Sequence, residues 1–522
     1  MIFLLEVGFF MKDQYAIIDM GSNSFRLVIN ELDHHGQYNE LHNYKTVARL
    51  SMYILESGHL SEEGIAIIID TLTRFKQVIQ DHQVSNVIVI ATAAMRKAKN
   101  KEEIVCTVKE KLGITIRVLS EYEEAFYGYL AVVNSTNITE GFTIDIGGGS
   151  TEITFYTNRT LKHYHSFPFG AITLHQKCFQ HNKNMVDSIK DLKDYIAKQL
   201  LTVPWLQAHS HYSVIGIGGS ARNLSLIHQR QINYPLAGIH QYEIPHTDVF
   251  NINTMLQKSS LEERLQLDGL SKDRKEIIIP AVEVISSIVE HVQADKFIMS
   301  RKGLRDGVFY EELLKMMETN RFPNVVEESL HQITSKYNIK LDYVNHISYL
   351  ASQLYKELSP LALVAHEQEE ALRLLQLSSR VLYIGETINS ETSSQNTFYL
   401  LTNITIEGLT HQERLAIAFI SSYKSKSQMM EYAEPFMQII SKNNLKFFEF
   451  LGSIMKLAYS LDRTRRKVIT KVGKLTMEND QIVIPFYYKE DPYFESVQAT
   501  KYKKQLEKAI QHSIEFHFTP FE

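Results

Sequence analysis

Asp145–Glu152 reads DIGGGSTE, and the earlier stretch Asp19–Arg26 reads DMGSNSFR. Each stretch lies between two runs that are rich in strand-forming residues, so each is predicted to be the turn of a β-hairpin. The glycines, together with Asn23, are predicted to take the positive φ angles that tight hairpin turns use. Because both turns begin with an acidic residue and contain Gly and Ser, the sequence predicts two related halves.

Strand-like and helix-like segments alternate through about the first 310 residues. VIVIATA from Val87 is typical of a strand, whereas SEEGIAIIIDTLTRFKQVIQDHQ from Ser61 has apolar residues at helical spacing. This alternation predicts an α/β N-terminal half. After about residue 311, long amphipathic stretches with few glycines predict a mainly helical region that ends in a small sheet. ETNRFPN supplies turn residues and a proline, so we expect a domain boundary near residues 320–324.

The composition excludes several classes of protein. The chain has 522 residues, of which 44% are hydrophobic and 22% charged, and its formal net charge of −5 argues against a basic nucleic-acid binder. The opening MIFLLEVGFF is too short to span a bilayer and lacks a cationic flank, so no membrane segment or signal peptide is expected. Two unpaired cysteines favour the cytoplasm. Translation could start at Met1 or at Met11.

The chemistry of the two turns suggests phosphate binding. Small residues let backbone N–H groups converge on phosphate oxygens, and hydroxyl groups add further donors. Asp19 and Asp145 could hold a divalent cation that bridges to the phosphate. Either turn alone could equally be an ordinary hairpin, but two that face each other would grip a phosphate from both sides. The predicted phosphate-binding residues of the two turns are Gly21, Ser22, Asn23, Ser24, Gly147, Gly148, Gly149 and Ser150.

A third glycine cluster, GIGGSARNL, begins at Gly216. It fits the weak dinucleotide signature G-x-G-x-x-A, but the acidic partner expected about 20 residues further on is not clear, since Glu243 comes late. The sequence contains no G-x-x-x-x-G-K-[ST] phosphate loop. The other two turns therefore favour phosphate clamping over nicotinamide binding, with Gly218 and Gly219 expected to line the cleft.

Taken in order, six motifs resemble one family: DMGSNSFRL, ATAAMRKAKN, SEYEEAFYGY, DIGGGSTE, GIGGSARN and SRKGLRDGVFY. The set is similar to the exopolyphosphatase and guanosine pentaphosphate phosphohydrolase (Ppx/GppA) family, which shares the superfold of actin and the sugar kinases. The resemblance implies two ribonuclease-H-like domains, 11–133 and 134–318, and a helical HD-like region, 319–522. It also implies hydrolysis of a terminal phosphate with Mg²⁺, with K⁺ as a second candidate ion.

The resemblance assigns roles to individual side chains. Glu124, immediately before Ala125, would be the general base that activates water, with Glu123 as its local competitor. Arg96 would contact the phosphate that is cleaved. Asp19, Asp145 and Glu152 would hold the metal, and Glu152 would help to orient the water. Without the resemblance, the sequence favours a solvated surface charge for Arg96. The two glutamates could then be ordinary acids at a helix N-terminus, stabilised by the helix dipole.

The HD-like region implied by the resemblance is expected to have lost its metal ligands. His346 and Asp462 are present, but Leu382, Tyr383 and Asn396 stand where further ligands are expected. We therefore predict neither a metal nor a second active site there. A basic run follows Asp462 and is predicted either to line a channel for a polyanion or to be a solvated helix face. Its first members are Arg463, Arg465, Arg466 and Lys467.

The leading functional prediction is a processive exopolyphosphatase that acts on inorganic polyphosphate. The second is a pppGpp 5′-phosphohydrolase with the same catalytic core. A non-catalytic sensor of alarmone or polyphosphate, and a kinase of the same superfold, are the further alternatives. We expect a cytoplasmic homodimer without nucleic-acid or membrane partners.

Overall fold

A computed structural model of the protein describes residues 13–33, 36–179, 184–478 and 480–521. The choice between Met1 and Met11 as the start lies outside these residues. The chain divides into two compact units. The first runs to Tyr234 and includes Ile239–Val325, and the second combines Pro235–Gly238 with the residues from Val326 onward. The boundary expected near residues 320–324 lies just before this division.

The first half of the first unit is a five-stranded sheet with the strand order β3-β2-β1-β4-β5. Strands β1 to β3 form an antiparallel meander, and β4 and β5 continue the sheet parallel to β1. Its strands are β1 (Asp13–Met20), β2 (Ser24–Leu32), β3 (Tyr38–Val47), β4 (Asn86–Ala91) and β5 (Ile116–Val118). Its helices are α1 (Glu62–Asp81), α2 (Ala93–Lys97), α3 (Lys101–Leu112) and α4 (Glu121–Val133).

The second half repeats this plan in a six-stranded sheet of order β10-β11-β9-β6-β7-β8. Its strands are β6 (Gly141–Ile146), β7 (Thr151–Thr157), β8 (Thr160–Phe167), β9 (Val214–Ile217), β10 (Tyr242–Pro245) and β11 (Lys296–Met299). Its helices are α5 (Ala171–Cys178), α6 (Met185–Leu200), α7 (Trp205–Ala208), α8 (Gly218–Gln231), α9 (His246–Lys258), α10 (Leu261–Gln266), α11 (Ile278–His291) and α12 (Leu304–Met316).

The two sheets share the pairing of their first four strands. In each, an antiparallel meander is followed by a parallel strand beside its first member, β4 beside β1 and β9 beside β6. Both predicted turns are hairpin turns, one between β1 and β2 and the other between β6 and β7. The predictions of two related halves and of an α/β N-terminal region are therefore confirmed.

One hydrophobic core joins the two halves of the first unit. Ile17 and Ile90 from the first sheet belong to the same buried cluster as Ile215 and Ile217 from the second. Helices α4 and α12 supply most of the other members of this cluster and pack closely against each other. Gly307 on α12 makes that approach possible, because a Cβ atom there would fall on the backbone carbonyl of Tyr127.

The second unit is mainly helical and ends in a small sheet. Its helices are α13 (Val325–Lys336), α14 (Leu341–Leu358), α15 (Gln368–Arg380), α16 (Ser393–Asn403), α17 (His411–Ser421), α18 (Lys426–Ala433), α19 (Lys442–Ser460) and α20 (Tyr493–Ile510). Its strands are β12 (Ile469–Val472), β13 (Thr476–Glu478), β14 (Gln481–Tyr488) and β15 (Ile514–Pro520). Helix α19 is buried along most of its length. In the described part of the chain, every helix is too short or too polar to cross a membrane.

The contact at Gly307 gives a test of the core. Gly307→Ala should destabilise the first unit by about 1–3 kcal/mol, because the added methyl group overlaps backbone atoms. Gly128→Ala on α4 is the matched control, since its Cβ would lie 3.4 Å from Ile217 Cδ1, an ordinary contact. That variant should be neutral or gain about 0.5–1 kcal/mol from helix propensity. Equal thermal unfolding midpoints for the two variants would contradict this packing.

Candidate active site

The two glycine-rich turns are built alike and lie against each other. In the first, the Gly21 N–H donates to the Ser24 carbonyl at 3.2 Å; in the second, the Gly147 N–H donates to the Ser150 carbonyl at 3.0 Å. Within each hairpin, the residues that flank the turn are paired directly across the strands, Asp19 with Arg26 and Asp145 with Glu152. The two hairpins therefore place different side chains beside the same kind of turn: an acid and a base in the first hairpin, and two acids in the second.

The prediction of positive φ angles in these turns is wrong. None of Gly21, Asn23 and Gly147–Gly149 has a positive φ. The glycines are needed for close approach instead. A Cβ atom on Gly148 would lie 3.2 Å from Ser22 Cβ and 3.0 Å from Ile172 Cδ1, and one on Gly21 would lie 3.0 Å from the Ser24 carbonyl oxygen.

Several donors of the two turns are left free for a ligand. The N–H groups of Ser22, Asn23, Gly148 and Gly149 have no acceptor among the residues that the structure describes. Asn23 Nδ2 is a further buried donor without a partner in that part of the chain. Buried donors of this kind are costly unless an acceptor arrives, and phosphate oxygens are such acceptors.

Both turns open onto a cleft of about 540 Å³. Helix α8 points its N-terminus into the same cleft, which favours an anion there. Gly218 has φ +80°, and a Cβ atom on it would lie 2.6 Å from Asp145 Oδ1. Among the predicted site residues, the cleft is lined by Asp19, Gly21, Ser22, Asn23, Ser24, Glu124, Asp145, Gly147, Gly148, Ser150, Glu152, Gly218 and Gly219.

The structure separates Glu124 from its neighbour Glu123. Glu123 closes the capping box of α4, where its carboxylate accepts from the Ser120 N–H and hydroxyl at 2.8 Å. It also pairs with Arg117, and these contacts hold the pKa of Glu123 down at about 2 although partial burial opposes them. Glu124 instead faces the cleft and accepts from Arg96 Nη1 at 2.7 Å. Glu123 therefore caps helix α4, whereas Glu124 faces the cleft and is available for chemistry.

Three carboxyl groups of the cleft hold their protons more tightly than usual. Burial raises the pKa of Glu124 to about 7, with Asp145 and Asp19 adding to the rise and Arg96 opposing it. Burial, reinforced by the charge of Asp19, raises the pKa of Asp145 to about 6. Burial and the nearby Glu124 raise the pKa of Glu152 well above its ordinary value. A carboxylate whose pKa lies near neutrality is suited to accept a proton at physiological pH.

Arg96 contacts the carboxylates of the site. Besides Glu124, it lies 3.9 Å from Glu152 Oε1 and donates to the Leu119 carbonyl at 3.0 Å. Its neighbour Lys97 donates to the Gly149 carbonyl at 2.6 Å, which ties α2 to the second turn. Arg96 therefore holds Glu124 in place, and a contact with substrate phosphate stays a prediction.

Five arginines in the cleft were missed by the sequence reasoning: Arg26, Arg222, Arg274, Arg301 and Arg305. Burial, Arg305 and Arg222 lower the pKa of Arg26 to about 10. Burial, Arg301 and Arg305 lower the pKa of Arg222, whose buried Nε has no hydrogen-bond partner in the described residues. Four of the five stand in motifs already singled out, DMGSNSFR, GIGGSARN and SRKGLRDGVFY, but nothing in a linear motif shows that their side chains converge.

Comparison with known proteins shows the family of this chain. A model of the Ppx/GppA phosphatase family matches residues 27–316, and a model of its domain III matches residues 325–505. The chain belongs to this family. A Vibrio atlanticus relative named guanosine-5′-triphosphate,3′-diphosphate pyrophosphatase is 24% identical over 480 residues, which is 90% of this chain and 91% of the relative. A Vibrio campbellii relative of the same name is also 24% identical, over 476 residues.

Solved structures support the Ppx/GppA fold of the first part of the chain. The Aquifex aeolicus family member is 27% identical with a TM-score of 0.51, covering 58% of this chain and 99% of that one. An exopolyphosphatase from Cytophaga hutchinsonii is 23% identical with a TM-score of 0.53, covering 59% and 99%. The expected actin-like architecture with a helical C-terminal domain is therefore confirmed.

The site of this Ppx/GppA phosphatase fits a divalent cation that is completed by substrate. Asp19 and Asp145 line the same cleft, and their mutual repulsion raises the pKa of Asp145. In the described residues, however, no three His, Cys, Asp or Glu side chains converge into a ready-made site. Mg²⁺ commonly binds through one or two carboxylates together with water and phosphate oxygens. The predicted ligands Asp19, Asp145 and Glu152 remain predictions.

In the second unit, both ring nitrogens of His346 lie within hydrogen-bond distance of other parts of the fold. Its Nδ1 lies 2.8 Å from Asp462 Oδ2, and its Nε2 lies 3.0 Å from the Ile469 carbonyl oxygen. The two retained residues of the HD-like pattern thus bind each other and connect α14 to β12. The absence of a metal in this unit stays a prediction.

The basic run of the second unit is largely neutralised by local acids. It lies in the turn after α19 and not on a helix face, so that alternative is wrong. Arg466 pairs with Glu495 at 3.3 Å, and Lys467 pairs with Asp342. Arg463 lies 3.6 Å from Glu386, while Arg465 stacks over Tyr343. The predicted polyanion channel stays a prediction.

The arginine cluster predicts that removing one of its charges weakens anion binding without lowering thermal stability. Arg222→Gln should leave the midpoint of thermal unfolding unchanged or higher, because it removes a buried charge that Arg301 and Arg305 repel. The same change should weaken binding of tripolyphosphate, measured in buffer without divalent cations, by about tenfold to a hundredfold. The control is Arg230→Gln, since Arg230 is 63% exposed and lies outside the cleft. Equal tripolyphosphate affinities in the two variants would contradict the assignment.

Proposed function

We propose that this protein hydrolyses the terminal phosphoanhydride bond of inorganic polyphosphate. The observation that carries the proposal is the position of Glu124, a largely buried carboxylate with a pKa of about 7 that lines the cleft onto which the two backbone turns open. The five arginines supply the positive charge that a polyanion needs, on a chain whose net charge is −5.

The residues divide the work of phosphoryl transfer between them. The free N–H groups of the two turns and Asn23 Nδ2 bind the oxygens of the terminal phosphate from both sides. The deprotonated Glu124 takes a proton from the water that attacks phosphorus, and Arg96 keeps this carboxylate in place. The bond between the attacking oxygen and phosphorus forms as the bridging oxygen leaves with the shortened chain. Positioning and charge stabilisation of this kind provide most of the catalysis of phosphoryl transfer.

A divalent cation, Mg²⁺ in our proposal, would be held by Asp19 and Asp145, with Glu152 as a further candidate ligand. When bound, it neutralises charge on the phosphate oxygens. Asp19 is paired with Arg305 Nη1 at 2.7 Å in this structure. We infer that Arg305 moves from the carboxylate toward the substrate when the cation binds.

A pppGpp 5′-phosphohydrolase is the second candidate. Two observations favour it: the names of the Vibrio relatives, and an apolar patch in the cleft formed by Leu226, Leu270 and Ile277 beside Arg274. None of the residues that line the cleft, within the described chain, is aromatic. The lining therefore offers no aromatic stacking surface for a base, which is why we place polyphosphate first.

Substitutions of Glu124 and of its neighbour Glu123 form a matched pair that tests which glutamate is the general base. Glu124→Gln should reduce phosphate release by at least about 10²-fold, since it removes the general base. Glu123→Gln should keep most of the activity and lose only capping stability. Initial rates on long-chain polyphosphate and on pppGpp should be measured in parallel with Mg²⁺. Release from polyphosphate supports the first proposal, and release from pppGpp alone supports the second. Full activity of Glu124→Gln, or a loss that is equal in both variants, would refute the assignment.

The raised pKa of Glu124 predicts an acid limb in the pH profile. Because the base must be deprotonated, activity should rise as the pH increases through about 7. Arg96 lowers this pKa, so Arg96→Met should move the limb to higher pH as well as reduce the rate, whereas Arg96→Lys should move it less. The pH dependence of initial rates checks this, and an unmoved limb in Arg96→Met would count against Glu124 as the titrating base.

A further inference from the structure

A second cavity lies in the helical unit and shares no lining residue with the cleft of the first unit. Its volume is about 330 Å³, at the small end of the range for ligand pockets. The N-terminus of α16, the C-terminal part of α19 and the turn after it form much of its wall. Tyr383, one of the residues at the replaced HD-type positions, lies in the wall as well.

Lys456 is an unusual member of the cavity wall. This α19 residue is only 8% exposed, and no hydrogen bond or ion pair to its Nζ is found within the described part of the chain. The ammonium group lies instead over three aromatic rings, 4.3 Å from the centroid of Tyr502, 4.7 Å from Tyr383 and 5.8 Å from Tyr459. A buried cation without a counter-ion is costly, so the arrangement calls for an anion.

The start of α16 adds donors to the same cavity. Ser393, 7% exposed, lines the cavity with a buried hydroxyl oxygen that has no partner in the described residues. Helix α16 has 11 residues, and no side chain caps its N-terminus. Its first turn, Ser393–Gln395, lines the cavity. Uncapped N–H groups and the positive end of the helix dipole favour an anion at this point.

The charges around the cavity leave an excess of positive charge. Lys424, Lys456 and Arg463 line it against two carboxylates, Glu386 and Glu391. Glu386 is already engaged, since it accepts from the Tyr459 hydroxyl at 2.8 Å and lies 3.6 Å from Arg463 Nη1. Burial, together with the charges of Arg463 and Lys424, lowers the pKa of Lys456 to about 8, and Glu386 opposes this change. Glu386 therefore compensates only part of the repulsion among these cations, and an anionic ligand would supply the remaining negative charge.

We propose that this cavity is a second anion-binding site that takes a compact phosphoryl anion of the orthophosphate or pyrophosphate class. The ammonium group, the Ser393 hydroxyl and the N–H groups of the helix all donate, and the oxygens of a phosphoryl group accept from several directions at once. A volume of about 330 Å³ favours a small ligand over a long chain. The site is separate from the proposed catalytic cleft, and its occupation does not depend on hydrolysis.

The test is calorimetric titration of the full chain with inorganic pyrophosphate in buffer with chelator. We expect two binding events in the wild type and one in Lys456→Met. The matched control is Lys508→Met, because Lys508 is exposed on α20 and outside the cavity wall, and it should keep both events. Ser393→Ala should weaken the second event by about tenfold. An unchanged number of events in Lys456→Met would overturn the proposal.

Chemical labelling of lysines provides a test that needs no variant, should Lys456→Met fail to fold. Pyrophosphate should slow acetylation of Lys456 at least about fivefold, measured by mass spectrometry, and leave Lys508 unaffected; a rate for Lys456 that pyrophosphate does not alter would overturn the proposal. A parallel arm with GDP separates the sources of the diphosphate group. Protection by both ligands supports recognition of the phosphoryl group itself, whereas protection by GDP alone would refute a site for compact anions.

Discussion

The catalytic arrangement depends on one steric constraint, the close approach of two backbone turns from the two halves of the first unit. Gly148 and Ser22 lie so near each other that a Cβ atom on the glycine would be 3.2 Å from that of the serine. Hydrogen bonds from Ala171 and Ile172 to the carbonyls of Gly147 and Gly148 hold the second turn in position. Because the turns meet through backbone, their N–H groups remain available to a phosphate.

The charges in the cleft destabilise the folded protein and favour the binding of a polyanion. Five carboxylates and five arginines line it. The pKa of Glu124, Asp145 and Glu152 is raised, whereas that of Asp273 is lowered because, although burial opposes it, this carboxylate accepts a hydrogen bond from Lys45. Like charges repel within each set, so the empty cleft is destabilising and a polyanion with its cation relieves both sets. The apolar core shared by α4, α12 and both sheets supplies the stability that this arrangement requires.

Much of the fold follows from local sequence, and much of the site does not. The hairpins could be predicted because strand residues and small turn residues are adjacent in the chain. The role of their glycines was predicted wrongly. These glycines allow two turns about 125 residues apart in the chain to approach closely, and nothing in the local sequence indicates that contact. The role of Glu123 as a helix cap separates it from Glu124, but a capping box does not show which residue faces a cleft. The arginines Arg222, Arg274 and Arg301 converge only in three dimensions. The same holds for the partners of the basic run in the second unit, Asp342 and Glu495.

The central claim is that the clamp holds the terminal phosphate beside a water activated by Glu124. It is tested most directly by hydrolysing polyphosphate in H₂¹⁸O and analysing the products by mass spectrometry after a single turnover. The account predicts one ¹⁸O atom in each released orthophosphate and none in the shortened chain, because water adds to the terminal phosphorus. Label in the remaining chain, or release of phosphate without label, would contradict it.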